Sequence, residues 1–183
     1  MGRIVIAEYL TLDGVTEDPG PAGDFEHRGW SVPYWSDELG DDQSKLLFES
    51  DALLLGRTTY EEFVASWPLR SDDPYTDRIN SMPKFVASTT LAEPLEWNAT
   101  LLEGDAAEEV RRLKEAGQSL LVYGSGELVK TLMHRLMLYP LALASGKRFF
   151  RDGGTPTVLK LSEAKPTGTG VVVLTYERAE SPS

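Results

Sequence analysis

Two short stretches of the chain share one layout: Leu53-Leu54-Leu55-Gly56-Arg57-Thr58-Thr59-Tyr60, and Leu120-Leu121-Val122-Tyr123-Gly124-Ser125-Gly126-Glu127-Leu128. Each runs from an apolar segment of strand length into glycine, then small or polar residues, then an amphipathic helical pattern. A helix that starts at a glycine turn points unpaired backbone N–H groups and the positive end of its dipole beyond the strand, and a phosphate fits there. Two such junctions suit a dinucleotide better than a lone phosphate. At the first, Gly56 lets the backbone turn tightly, Thr58 can cap the helix or bond a phosphate oxygen, and Arg57 offers a planar fork suited to phosphate. The alternative is a plain cap, with Arg57 balancing Glu61 or Glu62. At the second, Gly124 and Gly126 allow close approach of backbone to ligand and Ser125 adds a donor. A lone Gly-x-Gly of this kind also occurs for steric reasons alone.

The elements that must position these junctions alternate apolar runs with helical patterns, which predicts an α/β domain. Strands are expected near 3–10, 52–56, 84–89, 119–124, 136–144, 157–165 and 170–178, and helices near 36–49, 58–66, 105–116 and 126–134. The third helix has Asp105 as cap, Glu108 three residues later, and Gly117 where a terminating glycine belongs. Thr167-Gly168-Thr169-Gly170 reads as a hairpin turn, so the last strands are antiparallel on a sheet whose first part is parallel. The helix predicted to end at His134 or Arg135 runs straight into the next strand, which leaves no room for a reversal. Residues 11–35, rich in glycine and proline and carrying Phe25, Trp30, Tyr34 and Trp35, form a long loop of the kind that covers a site.

With 183 residues, a single domain across 1–183 is expected. There is no cysteine, which excludes disulfides, thiolate nucleophiles and cysteine-based zinc sites and permits a cytoplasmic location. The start, Met1-Gly2-Arg3-Ile4-Val5-Ile6-Ala7-Glu8, has no long apolar stretch, so a soluble protein without a membrane partner is expected. A formal charge of −11 without a Lys/Arg stripe argues against nucleic acid. It does not oppose a phosphorylated cofactor, which responds to local N–H groups and one or two cations. His27 and His134 lie far apart, so no metal is expected, and no Gly-x-Ser-x-Gly elbow supports serine hydrolysis.

Five segments in order carry a family resemblance. They are Thr11-Leu12-Asp13-Gly14, Leu55-Gly56-Arg57-Thr58-Thr59-Tyr60-Glu61, Phe85-Val86-Ala87-Ser88-Thr89, Val122-Tyr123-Gly124-Ser125-Gly126-Glu127-Leu128, and Tyr139-Pro140 followed by Ala144-Ser145-Gly146-Lys147-Arg148-Phe149-Phe150. Together they resemble the dihydrofolate reductase-like superfamily, and more narrowly the reductase domain of the bifunctional riboflavin-biosynthesis deaminase-reductase and its stand-alone bacterial relatives. The likeness runs from about residue 3 to 178. It implies a three-layer α/β/α fold with a mostly parallel sheet of about eight strands, NADPH as hydride donor, and a flat nitrogen heterocycle such as a pterin or aminopyrimidine as acceptor. A homodimer is also implied. A protein that keeps the fold and binds a nucleotide or pterin without catalysis is the alternative.

The resemblance assigns Gly56, Arg57 and Thr58 to the cofactor, and Gly124, Ser125, Gly126, Glu127 and Leu128 to its pyrophosphate. It puts Ser88 and Thr89 near the adenosine ribose and its 2′-phosphate, which with Arg57 favours NADPH over NADH. Asp13 and Gly14 fall beside nicotinamide and substrate, where a carboxylate can bond ring N–H groups or relay a proton. Asp-Gly is equally a common turn pair. Dihydrofolate reductase uses an acid on the helix before the first junction; here Asp37, Glu38, Asp41 and Asp42 crowd that helix and spacing does not choose among them. The riboflavin enzyme has a lysine in the first strand that this chain replaces with Glu8 or Tyr9, which argues against its ribityl-phosphate substrate. Trp30, Tyr34 and Trp35 can stack on a flat ring or form the loop's own small core.

Overall fold

Leu53, Leu54 and Leu55 are buried side by side, so both faces of their strand are covered, the pattern of an inner parallel strand. In the computed structural model, which describes residues 2–123, 133–150 and 158–178, the strands are β1 (Ile4–Thr11), β2 (Ala52–Gly56), β3 (Lys84–Ala87), β4 (Ala99–Leu101), β5 (Leu120–Tyr123), β6 (Met133–Tyr139), β7 (Leu159–Pro166) and β8 (Val172–Arg178). Four helices accompany them: α1 (Asp37–Phe48), α2 (Arg57–Ser66), α3 (Pro74–Ser81) and α4 (Ala106–Glu115). The strands form one eight-stranded sheet in the order β4-β3-β2-β5-β1-β6-β8-β7, mostly parallel with antiparallel C-terminal strands. No helix among the described residues is long and apolar enough to cross a membrane.

The chain divides into two compact units. The first comprises Met1–Val5 and Asp41–Leu128. In it β2 pairs in parallel with β3 on one side and β5 on the other, and its core is made by Leu46, Leu47, the leucines of β2, Ile79, Val86 and Leu120–Val122. The cap of α4 is as expected: the Asp105 carboxylate accepts from the amides of Ala107 and Glu108, and Gly117 follows the last turn with φ +90°. Two elements of this unit carry too little pattern to be foreseen. α3 buries only Thr76 and Ile79 and starts at Asp73-Pro74, where Asp73 accepts from the Thr76 amide. β4 is three residues long and buries none of them fully.

The second unit comprises Ile6–Gly40 and Val129–Ser183. Its centre is Tyr139, whose ring meets Tyr9, Trp30 and Tyr34 at centroid distances of 5.4, 5.1 and 5.9 Å. Burial among these rings pushes the Tyr139 phenol up to about 12. The hairpin between β7 and β8 turns at Thr167–Gly170 as predicted, with Thr167 N–H donating to Val171 and Gly170 at φ +86°. The strand expected at 136–144 is instead Met133–Tyr139. It takes over the last two residues of the helix predicted at 126–134, and residues 140–144 leave the sheet. Residues 126–132 of that helix lie outside the described residues.

One buried cation in the first unit has a measurable consequence. Lys84 is 0% exposed at the start of β3; its ammonium donates to the Asn80 carbonyl at 2.9 Å and stands 4.0 Å from the centre of the Trp97 ring. Burial lowers its pKa to about 8 from the usual 10.5. Between these values the unfolded chain binds a proton that the folded chain does not, so stability rises with pH across that window. We expect Lys84→Met to remove a rise of up to about 3 kcal/mol between pH 8 and 10.5, at about 1.36 kcal/mol for each pH unit, as read by denaturant unfolding of parent and variant.

Candidate functional site

Parallel pairing sets the first feature of the site. Gly56 lies opposite Ala87 and Leu55 opposite Tyr123, so the carboxyl ends of β2, β3 and β5 reach one edge of the first unit. Ligands of open α/β sheets bind outside such an edge. Gly56 itself takes the N-cap position of α2, with Arg57 and Thr58 following as the first helical residues. Thr58 is therefore not the cap, because the helix starts one residue earlier than predicted and leaves its hydroxyl exposed. A glycine cap brings no side chain to the first-turn N–H groups, which leaves them to whatever approaches.

Two of the three side chains assigned to the adenosine end, Arg57 and Ser88, already have protein partners. Arg57 pairs with Glu61 one turn along α2 at 2.9 Å, with both side chains about half exposed. This is the balancing role that the sequence allowed. The Ser88 hydroxyl oxygen accepts from the amides of Thr90 and Leu91, each at 3.1 Å, and so shapes the turn after β3, while Thr89 is exposed beside it. Gly124, Ser125, Gly126, Glu127 and Leu128 lie outside the described residues. Tyr123, which precedes them, is at the same edge as Gly56.

On α1 the burial pattern makes the choice that spacing left open. Asp37, Glu38 and Asp41 are exposed, whereas Asp42 is 6% and Gln43 3% exposed, on the face shared with Leu39, Leu46 and Leu47. Two polar residues on an otherwise apolar face call for a polar partner. Tyr123 at the end of β5 donates to Gln43 Oε1 at 3.2 Å, and the Tyr75 hydroxyl of α3 lies 3.1 Å from that of Tyr123. Sequence reasoning missed Gln43, Tyr75 and Tyr123 as site residues. The i, i+3, i+4 recurrence of 39, 42, 43, 46 and 47 was the available signal for Asp42 and Gln43.

In the second unit Asp13 and Gly14 form the turn that ends β1, with Gly14 at φ +79° and its N–H donating to Thr11. The Asp13 carboxylate accepts from the Thr11 hydroxyl at 2.6 Å and from the amides of Leu143 and Ala144 at 3.2 and 2.8 Å. These hydrogen bonds, the Thr11 hydroxyl first, hold it below the usual carboxylate range despite partial desolvation. Glu17 does the same four residues on: it accepts from the Lys147 amide at 2.9 Å and pairs with the Lys147 ammonium at 2.7 Å, which lowers its pKa. Backbone bonds from Thr16 to Lys147 and from Phe149 to Gly14 close the clasp. Ala144 is held with φ +62°, a left-handed conformation that costs a non-glycine residue energy. Glu8 is buried in β1 and accepts from the Thr16 hydroxyl.

The aromatic residues divide. Trp30, 6% exposed, packs edge-on against Tyr139 and donates its indole N–H to the Glu17 carbonyl, and Tyr34 joins the same cluster. Trp35 is 55% exposed and lies across Gly40 of α1. Trp30 and Tyr34 thus serve as the small core of the long loop, and Trp35 is the ring left facing solvent.

Carboxylates with depressed pKa values stabilise above their unfolded values of 3.8 and 4.5 and lose that contribution as pH falls through the folded ones. We expect exchange protection of the Leu143, Ala144 and Lys147 amides to persist at pH 5 and fall as the pH drops below about 4, where the unperturbed carboxyls titrate. Asp13→Asn with Glu17→Gln should weaken that protection at every pH and abolish its acid dependence in hydrogen-exchange measurements.

Comparison with known proteins identifies the family and the fold. The RibD C-terminal domain family matches residues 3–173. The uncharacterized protein YyaP of Bacillus subtilis (strain 168) is 27% identical over 187 residues, spanning 95% of this chain and 94% of that protein. Among solved structures, a protein named for riboflavin biosynthesis from Shewanella sp. PV-4 superposes with a TM-score of 0.66 at 18% identity, over 97% of this chain and 99% of that one. A pyrimidine reductase-like protein from Corynebacterium diphtheriae gives 0.67 at 11% identity, over 98% and 93% of the two chains. The bifunctional deaminase and uracil reductase of Thermotoga maritima gives 0.63 at 15% identity, over 97% of this chain and 57% of its own. With nearly the whole length matched, the chain belongs to the RibD C-terminal domain family.

Proposed function

We propose that the chain is an NADPH-dependent reductase that transfers a hydride to a pterin- or aminopyrimidine-like ring. The observation that carries this reading is the shared edge of β2, β3 and β5, where the uncapped start of α2 at Gly56 and the polar residues Asp42, Gln43 and Tyr123 belong to one unit. Backbone N–H groups at such a helix start favour an anion, and the junction at Gly124, Ser125, Gly126, Glu127 and Leu128 is proposed as the second contact to the pyrophosphate. When bound, NADPH supplies the hydride; the protein positions and desolvates the acceptor ring.

Asp42 is the carboxylate proposed to hold a ring N–H or deliver the balancing proton, because it is the buried acid of α1. Asp13 is proposed for the substrate as an acceptor of ring N–H bonds, with Gly14 allowing close approach. Its lowered pKa keeps it ionised at neutral pH, which favours accepting over donating. Trp35, the ring left facing solvent, is proposed to stack on the substrate ring, while Trp30, the other ring of that assignment, packs edge-on against Tyr139. The 2′-phosphate is assigned to Arg57, Ser88 and Thr89.

Binding without turnover is the second reading, and the observation in its favour is that Asp13 is already occupied by Thr11 and two loop amides. Mixing the protein with NADPH and dihydrofolate, pterins or aminouracils, and following absorbance of the reduced nicotinamide, separates the two. Oxidation with one of the rings is expected; binding without oxidation across the panel favours the second reading, and binding of neither NADPH nor any ring sinks both.

Cofactor choice gives a sharper test. Removing a charge-assisted contact of about 1.5–3 kcal/mol at a half-exposed site should weaken NADPH binding by about tenfold. Arg57→Gln should therefore raise the NADPH dissociation constant about tenfold by fluorescence titration, and leave NADH almost unchanged. Equal losses for both coenzymes would remove the 2′-phosphate from Arg57.

A further inference from the structure

The exposed Trp35 stands at a defined position relative to α1. Ser36 precedes the first helical residue, Asp37; its carbonyl accepts from the Gly40 amide at 3.0 Å and its hydroxyl oxygen from the Leu39 amide at 3.4 Å. Ser36 is therefore the cap, Trp35 the residue before it, and Gly40 the fourth helical residue. In that pair of positions one apolar side chain packs on another and sets how the chain enters the helix. Here the second position has no side chain, and the indole fills its place: a Cβ at residue 40 would stand 3.3 Å from Trp35 Cζ2 and 3.9 Å from Cε2. Glycine inside a helix is less favourable than alanine, and Gly40 has no positive φ to call for it. What glycine provides is room for the ring against the helix.

The backbone that carries the indole is held from two sides. Toward the core, the Tyr34 ring meets that of Tyr139 at 5.9 Å and Leu39 is buried. From the tip of the β7–β8 hairpin, the Thr169 hydroxyl donates to the Tyr34 carbonyl at 2.8 Å, and the Gly168 amide donates to the Glu38 carboxylate at 2.8 Å. These bonds fall one residue before Trp35 and three after it. The chain is thus fixed on both sides of a ring that stays 55% exposed. A ring ordered in advance binds a flat partner with less loss of side-chain freedom than one that must be ordered on contact.

We infer that Trp35 is a preset stacking platform for a flat heterocycle, and that Gly40 and the hairpin tip at Thr169 are the positioning residues that set it. The inference rests on the proposal that the chain binds such a ring, and it adds how the stacking residue is held.

Fluorine NMR of the full chain labelled with 5-fluorotryptophan tests it, with the Trp35 resonance identified by its absence in Trp35→Phe. Pterin and 5-aminouracil are added in turn without NADPH, and their affinities are read by calorimetry. In the parent, the ring that binds should shift the Trp35 resonance in step with the calorimetric isotherm. Gly40→Leu supplies the missing side chain, so it should shift that resonance in the free protein and weaken ring binding about tenfold, the scale of one lost stacking contact. Its thermal unfolding should stay at or above that of the parent, because leucine is the better helix former; a merely structural role for Gly40 does not combine intact stability with lost affinity. Thr169→Val removes only the hydroxyl and should weaken binding several-fold, and Thr169→Ser should restore it. A Trp35 resonance unmoved when a ring binds, parental affinity in a folded Gly40→Leu, or binding of neither ring overturns the inference. Should Gly40→Leu fail to fold, the parent titration and the Thr169 pair decide alone. Binding that moves the resonance with no NADPH oxidation by any ring sinks the reductase reading alone. NADPH oxidation with a ring whose binding leaves the resonance in place sinks this inference alone.

Discussion

The parallel pairing of β2 with β3 and β5 is the constraint on which the rest depends. Leu53 to Gly56 run in register with Lys84 to Ala87, and Ala52 to Leu55 with Leu120 to Tyr123. Because all three strands run the same way, their carboxyl ends reach one edge: Gly56 with Arg57 and the start of α2, Ala87 with the Ser88 turn, and Tyr123 at the end of β5. The pairing is held by side chains that are apolar on both faces, so a one-residue slip exchanges leucine for leucine on β2 but moves Gly56 out of line with Ala87. What fixes the register is then the end of each strand. Gly56 must start a helix, and Ser88 must turn the chain through its bonds to Thr90 and Leu91.

The second unit solves a different problem, that of holding an irregular segment without secondary structure. Two carboxylates four residues apart, Asp13 and Glu17, take up backbone amides of residues 143, 144 and 147 that no ladder satisfies. Leu143 is half-buried, where an amide without a partner costs about 1–3 kcal/mol, while Ala144 and Lys147 are exposed, so the acids act there mainly by fixing the path of the loop. They also compensate for the left-handed backbone at Ala144. The same bonds make Asp13 a poor proton donor, since every one of them favours the ionised form. A carboxylate that holds a loop in place and a carboxylate that moves a proton to a substrate are different chemical objects. Asp42 is the buried acid of α1, and the proposed proton role rests on that placement.

The parts of the fold that were legible are those in which one residue type has one physical use. Asp105 and Gly117 bracket α4 because a carboxylate caps amides and glycine accepts positive φ; Gly170 closes the β7–β8 hairpin by the same tolerance. The parts that were not legible depend on tertiary context. α3 has two buried positions and β4 has none, so neither has a period to read. At Gly56 the eye goes to Thr58, the better capping side chain, yet the sheet ends the strand at Gly56 and gives the cap to the residue without one. Trp30 and Trp35 look alike in sequence, and only the position of Tyr139 separates the core ring from the exposed one. For the candidate site, the glycine junction and the acidic helix could be seen. The network behind them could not, because Tyr123 bonds to Gln43 and to Tyr75 across 80 and 48 residues of chain.

The acidity of the chain bears on how an anionic coenzyme would be held. Arg57 is engaged by Glu61, so a 2′-phosphate must displace a carboxylate rather than meet an unused cation. An i, i+4 pair on a helix surface is worth only about 0.3–0.5 kcal/mol, whereas a charge-assisted bond to phosphate contributes about 1.5–3 kcal/mol. The exchange therefore favours phosphate, by less than a free arginine would give. In the proposed complex the Glu61 partner would lower affinity for every anion at Arg57 and leave most discrimination to the dianion, which would gain two fork-shaped bonds where a chloride or a ribose hydroxyl gains one. In a protein of net charge −11, selectivity of this kind comes from geometry at the helix start and not from a general attraction for anions.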